Sequence, residues 1–148
     1  MAASQLLDDL IYSTHHGAGF ILRRLGRVVP GGIYFVNPDD PLMDFCFPKE
    51  DHPRASDEEV FAMVEAELRA WAARPETCAI AMVTEVAIEG QRVMKMQAET
   101  RHASGTDAPT RECVVMHCPL QRKLWWRVLG EAAEGEGLIV ERFFGEDA

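Results

Sequence analysis

Two apolar runs of strand-like composition, separated by a short polar stretch, dominate the middle of the chain. They cover residues 78–88 and 92–101, and Gly90 lies between them. Runs of this kind on either side of a glycine-containing turn are typical of an antiparallel hairpin. The sequence therefore predicts a long hairpin over residues 78–101, on which the rest of the fold is built.

The alternation of apolar and polar residues also predicts how the two strands pair, because a shift of one residue would turn every side chain to the opposite face. A three-residue loop sets Met82 opposite Ala98 within one apolar face. On the other face it sets Glu85 opposite Lys95, an opposite-charge pair that stabilises neighbouring strands. The alternative is a two-residue loop, which sets Met82 opposite Gln97 instead.

The N-terminal region has helical periodicity. Apolar residues recur at this spacing over residues 6–25, but His15, His16 and Gly17 interrupt them. Glycine destabilises a helix interior by about 1 kcal/mol relative to alanine. The interruption therefore predicts either two short helices or one helix that is kinked at residues 17–19.

A further helix is predicted by its end signals. Ser56 precedes Glu59 by the spacing of a capping box, and apolar residues follow on one helical face. Pro75 disfavours helical backbone in the residue before it. We therefore expect this helix to end at Arg74.

The remaining apolar runs near the middle of the chain predict strands. Residues 33–36 and 43–47 flank a cluster of turn-forming residues and predict a second, smaller hairpin. Residues 112–118 predict a third strand of the central sheet, with Met116 opposite Ala98.

The C-terminal region completes the predicted fold. Residues 119–134 carry a narrow apolar stripe at helical spacing and predict a helix, although residues 124–128 also have the composition of a strand. Residues 138–144 predict a final strand. The whole pattern indicates one globular domain over residues 1–148 of the α+β class, an antiparallel sheet with helices packed on one face.

Composition and charge narrow the possible functions. The chain has 148 residues, 47% of them hydrophobic, and a net charge of −9. Because acidic surfaces repel phosphate backbones, we expect no nucleic-acid partner. No apolar run approaches the ~20 residues of a membrane helix, and the N-terminus lacks a signal-peptide pattern. We therefore expect a cytoplasmic protein without a membrane partner. Small basic clusters at residues 23–27 and 122–127 are suited to an acidic partner or a small anionic ligand.

Signals for metal binding and covalent catalysis are weak. The four cysteines form neither a CxxC pair nor a zinc-ribbon pattern. The histidines do not form a HExxH motif. We therefore expect no metal site and no cofactor, and the sequence assigns no catalytic residue.

One set of polar residues is a candidate ligand site. The predicted register sets His117 opposite Gln97, so that acid, base and amide groups converge on one face of the sheet. This face is either solvated or the floor of a small-molecule pocket. The residues concerned are Glu85, Lys95, Gln97, Glu99 and His117.

A second candidate site lies at the C-terminal end. A terminal strand with large apolar side chains on both faces would aggregate unless something covered it. A tryptophan beside an arginine is typical of an interface anchor. The predicted interface residues are Trp126, Leu138, Val140, Phe143 and Phe144.

Two functional hypotheses follow from these patterns. The first is a small, acidic, non-enzymatic binding or regulatory protein that forms a homodimer or binds a protein partner through its C-terminal apolar surface. The alternative is a small-molecule-binding protein or enzyme that uses the polar pocket on the sheet. The position of His117 in the fold discriminates between them.

Overall fold

A six-stranded antiparallel sheet forms the centre of the computed structural model, with the strand order β2-β1-β3-β4-β5-β6. The structure describes residues 3–36, 43–88, 91–100, 110–117, 126–128, 140–141 and 143–144. Its elements are α1 (Ala3–Leu25), β1 (Gly31–Phe35), β2 (Met43–Cys46), α2 (Pro48–Asp51), α3 (Asp57–Ala72), β3 (Ala79–Ile88), β4 (Gln91–Thr100), β5 (Thr110–His117) and β6 (Trp126–Val128). The α+β class, with helices packed on an antiparallel sheet, is confirmed.

The two long helices cover opposite faces of the sheet, whereas we expected the helices on one face. Leu10 and Leu22 of α1 pack in one core with Ala81 of β3. Leu68 of α3 packs in a second core with Met82, the next residue of β3. The reason lies in residues 79–83, which are all fully buried. A strand that is apolar at consecutive positions has no face for water, so each face needs its own cover.

The pairing of β3 with β4 corrects the predicted register. Met82 lies opposite Gln97 and Glu85 lies opposite Met94, so the three-residue register is wrong and the two-residue alternative describes the pairing. The prediction rested on keeping polar residues away from a buried face. It failed because Gln97 and Glu99 are themselves fully buried, with partners from a distant part of the chain.

The strands that follow also differ from the sequence-based expectation. Met116 of β5 lies opposite Met94 rather than Ala98. Residues 126–128 form the edge strand β6, so the predicted helix is wrong there and the strand composition of this stretch prevails. The rest of the predicted helix lies outside the described residues. In the predicted terminal strand, residues 140–141 and 143–144 form bends.

Helix α1 is continuous through the glycines that were expected to interrupt it. A β-carbon at Gly17 would lie 2.5 Å from the Phe45 ring, so this glycine allows β2 to approach the helix. The helix ends at Leu25 and is followed by Gly26, which has a positive φ of 76° and donates its N–H to the Leu22 carbonyl at 2.7 Å. No helix in the described ranges is long and apolar enough to cross a membrane.

The capping box predicted for α3 is confirmed. The Glu59 N–H donates to the Ser56 hydroxyl at 3.2 Å, and the Ser56 N–H donates to the Glu59 carboxylate at 3.1 Å. The helix ends at Ala72, slightly before the predicted Arg74. Because four N-terminal amides of a helix lack partners within it, this box fixes the point where α3 begins to cover the sheet.

Replacing Gly17 with alanine is expected to destabilise the fold, although alanine favours helix. The added methyl group would collide with the Phe45 ring, and such overpacking costs about 1–3 kcal/mol. Chemical denaturation measures this loss. In a Phe45→Ala background the same substitution should cost much less, because the colliding ring is gone. An equal cost in both backgrounds would show that the contact with Phe45 is not the cause.

Candidate functional site

The five polar residues predicted to line one pocket are divided by the sheet. Glu85 lies on the α1 face, where its carboxylate accepts the Val28 N–H at 3.3 Å. Lys95 lies opposite Thr84, on the face that α3 covers. The predicted Glu85–Lys95 cross-strand pair is therefore not formed, because the one-residue change of register sends the two side chains in opposite directions.

His117 is also separated from the residues it was predicted to join. It lies opposite Val93, whereas Gln97 lies opposite Cys113. The four-residue offset corresponds to about 13 Å along the strand. Within the predicted set, a hydrogen bond joins Gln97 and Glu99, and Lys95 lies on the same face of β4.

Gln97 and Glu99 bind the C-terminal segment, a name used here for Val140, Glu141, Phe143 and Phe144. The Glu99 carboxylate accepts the Phe143 N–H at 3.0 Å and 3.1 Å, and the Phe144 N–H at 3.1 Å. It also accepts the Gln97 side-chain amide at 2.8 Å. The Gln97 side-chain oxygen accepts the Val140 N–H at 3.0 Å. Two neighbouring side chains of β4 thus hold three backbone N–H groups.

Apolar packing and an arginine complete this site. Phe144 is fully buried and Phe143 is 8% exposed, both in the core between α3 and the sheet. The Arg69 guanidinium lies 5.0 Å from the centre of the Phe143 ring and donates to the Glu141 carbonyl at 3.2 Å. Its pairing with Glu65 at 2.8 Å holds it on the surface of α3. The segment is therefore fixed from both sides, by β4 below and α3 beside it.

This arrangement is suited to recognising a short peptide. Charge-assisted hydrogen bonds from backbone N–H groups to a carboxylate are among the stronger ones in proteins. These hydrogen bonds involve the backbone of the peptide and not its side chains. Selectivity for particular residues in the peptide therefore depends on how well the two buried phenylalanine side chains fit the core. The sequence contains one signal for the site, since Gln97 and Glu99 are polar residues of a strand in the middle of the sheet and need partners where that strand is buried.

The predicted interface residues have different positions. Phe143 and Phe144 are buried within the chain, and Val140 is partly buried against the same core. Trp126 begins the edge strand β6. Leu138 lies outside the described residues. A role for these residues between two copies of the chain stays a prediction.

A cleft beside β2 was not foreseen from the sequence. It has a volume of about 320 Å³, and Cys46, His52 and Glu67 contribute to its lining. The Cys46 thiol donates to the Glu67 carboxylate at 2.8 Å. Burial, followed by this hydrogen bond, raises the pKa of the Cys46 thiol well above its usual range. The thiol is therefore protonated and a poor nucleophile.

A second protonated group lies next to this cysteine. The Tyr34 hydroxyl donates to the Asp44 carboxylate at 3.1 Å, and its ring stacks on Trp71 with 4.0 Å between ring centres. Burial, reinforced by Asp44, raises the pKa of Tyr34 to about 12. Across the described part of the chain, no three His, Cys, Asp or Glu side chains are placed to hold a metal ion. The groups around this cleft act as hydrogen-bond donors to carboxylates.

Comparisons with protein-family models, with curated proteins and with solved structures found no match for this chain.

Cys46 is expected to resist alkylation in the folded protein at mildly alkaline pH. Glu67→Ala should accelerate its reaction by roughly tenfold or more, because removing the acceptor and its negative charge lowers the thiol pKa. Mass spectrometry after iodoacetamide treatment measures modification at each cysteine.

Cys78 is the matched control for this experiment. It is also buried, and its thiol donates to the Phe35 carbonyl at 3.4 Å. Its reactivity should be the same with and without Glu67. If Cys46 reacted as fast in the folded protein as in urea, it would not be the protected, protonated thiol described above.

Proposed function

We propose that this protein is a non-enzymatic binding protein that works as a homodimer and takes a peptide ligand at the site of its own C-terminal segment. The segment is then a resident ligand, and its exchange for a partner peptide regulates the site. The observation that carries the proposal is the buried Glu99 carboxylate, which accepts the backbone N–H groups of Phe143 and Phe144.

The energetics favour a site that is always occupied. A buried polar group without a partner costs about 1–3 kcal/mol, and more when it is charged. Gln97 and Glu99 lie under the segment and are fully buried. When the segment leaves, both side chains must find water or another peptide with free N–H groups. A partner peptide satisfies them in the same way and also fills the space of the two aromatic rings.

The preferred ligand is therefore a peptide with two adjacent aromatic residues. Phe143 and Phe144 donate consecutive N–H groups to one carboxylate, and both rings pack in the core beside α3. Arg69 adds a contact with the ring face of Phe143, which favours aromatic over aliphatic residues at that position. Burying a large aromatic side chain supplies most of the binding energy in such sites.

Covalent linkage makes the resident segment a strong competitor. A tethered segment acts at an effective concentration in the millimolar range. A partner peptide must therefore bind more tightly than the segment or compete when the segment is weakened. Because of this competition, the site takes up a partner peptide only above a certain affinity or concentration of that peptide. This requirement is the basis of the proposed regulation.

The proposal places the protein in the cytoplasm. Cys46 and Cys78 are free, buried thiols, and free thiols persist in reducing compartments. The small-molecule alternative receives less support, because its five polar residues are divided between two faces and distant strand positions.

Glu99→Gln is expected to loosen the C-terminal segment while the sheet stays folded. The amide has the size of the carboxylate, but its NH2 group is a donor that faces other N–H donors. At least one of these buried donors then lacks an acceptor, which costs about 1–3 kcal/mol. Hydrogen exchange at the amides of Phe143 and Phe144 should accelerate by about tenfold or more. Glu76→Gln, at an exposed position, is the matched control and should leave these amides unchanged. Unaltered protection in Glu99→Gln would refute the role given to Glu99.

A peptide with the sequence of residues 138–146 tests the ligand site directly. It should bind weakly to the wild-type protein, because the resident segment competes, and more tightly to a Phe143→Ala/Phe144→Ala variant. Fluorescence anisotropy of the labelled peptide measures both affinities. A scrambled peptide and the Glu99→Gln version of the same variant are the controls. Equal binding of the scrambled peptide, or no binding to any variant, would contradict the proposal.

A further inference from the structure

Helix α1 carries aromatic residues on the side that faces away from the sheet. Tyr12 is 67% exposed and Phe20 is 43% exposed. His16 lies between them, exposed and stacked against Tyr12 with 6.2 Å between ring centres. The α1 outer face is defined here by these three residues and by Asp9, Gly19 and Arg23. Residues 9, 12, 16, 19 and 23 follow the alternating spacing of three and four that forms the seam of paired helices.

Nothing among the described residues explains Gly19. In the part of the chain that the structure describes, a β-carbon there would approach only the Arg23 side chain, at 3.9 Å. Alanine would therefore fit and would favour the helix by about 1 kcal/mol. Gly17, two residues earlier, differs because Phe45 occupies the space above it. A glycine at the centre of a helix seam permits the close approach of another helix, and Gly19 is free for that purpose.

The charges of the α1 outer face are complementary to those of a second copy. Asp9 and Arg23 each lie seven positions from His16, on opposite sides of it. A two-fold axis at His16 brings the Asp9 of each copy to the Arg23 of the other, and Tyr12 to Gly19 and Phe20. Within the part of α1 that the structure describes, neither Asp9 nor Arg23 has an ion-pair partner, whereas Arg24 pairs with Glu50 at 2.8 Å.

We infer that α1 of one chain packs antiparallel against α1 of a second chain, with the two-fold axis at His16. This inference rests on the homodimer in the proposed function and names its surface. It is independent of the C-terminal segment, because the segment lies on the α3 face of the sheet.

The size of the surface sets the strength of the association. A helix of 23 residues is about 34 Å long and about 10 Å wide, so the face offers roughly 350 Å² per copy. Stable interfaces bury about 800 Å² per partner. The α1 pairing therefore forms a weak dimer that assembles at micromolar or higher concentrations of the chain.

Charge reversal tests the antiparallel arrangement. Asp9→Arg and Arg23→Asp should each weaken dimerisation at least tenfold, since each places like charges together at both ends of the interface. The double variant Asp9→Arg/Arg23→Asp should restore the wild-type constant to within about threefold. Sedimentation equilibrium over a micromolar concentration series measures the constants. Glu76→Arg has the same change in charge as Asp9→Arg, at an exposed position outside α1, and is the control.

Cross-linking provides a second test that does not depend on affinity. Paired helices lie 8–10 Å apart, so residues at the two-fold axis come within disulfide range. His16→Cys should form an intermolecular disulfide under mild oxidation, whereas Ala62→Cys, at an exposed position on α3, and the wild-type protein should not. Circular dichroism of each variant verifies that α1 stays helical.

The outcomes separate this inference from the proposed function. Loss of dimer in both single variants, restoration in the double variant and cross-linking at position 16 support the α1 interface. A dimer that persists in the single variants without cross-linking at position 16 overturns the α1 interface and leaves the homodimer standing. A wild-type chain that stays monomeric throughout the series overturns both, while the peptide experiment still tests the ligand site separately.

Discussion

Burial of the Glu99 carboxylate is the constraint on which the α3 side of this protein depends. A carboxylate accepts hydrogen bonds and donates none when it is ionised, so it requires several donors once water is removed. Gln97, Phe143 and Phe144 supply them. The requirement ties the end of the chain to the middle strand of the sheet, and both phenylalanines enter the core as a consequence.

The sheet can accept this segment because α3 covers only part of the face on which the segment packs. Five consecutive buried residues in β3 leave no polar face, and α1 and α3 occupy the two sides. Helix α3 does not cover β4 completely on its side, and the C-terminal segment completes that layer. Gln97 and Glu99 on β4 bind the backbone of the segment, and the Phe143 and Phe144 rings fill the core above them. Together these four residues form the candidate peptide site.

The two sides of helix α1 differ. Contacts on the inner side fix its position against the sheet, and the outer side carries aromatic and charged residues. The inner side is continuous through Gly17, where Phe45 packs against the helix backbone. The outer side contains Gly19, which no neighbour in the described ranges requires. The two glycines resemble each other in the sequence, but only the structure distinguishes an occupied contact from an open one.

Elements with local signals could be predicted from the amino-acid sequence. The capping box of α3, the apolar runs of the strands and the α+β class depend on residues close together in the chain. The register of β3 with β4, the separation of Glu85 from Lys95 and the burial of Glu99 were decided by tertiary structure. Their physical reason is the same in each case: a polar residue is buried when a distant segment supplies its hydrogen bonds, and alternation along one strand carries no information about that segment.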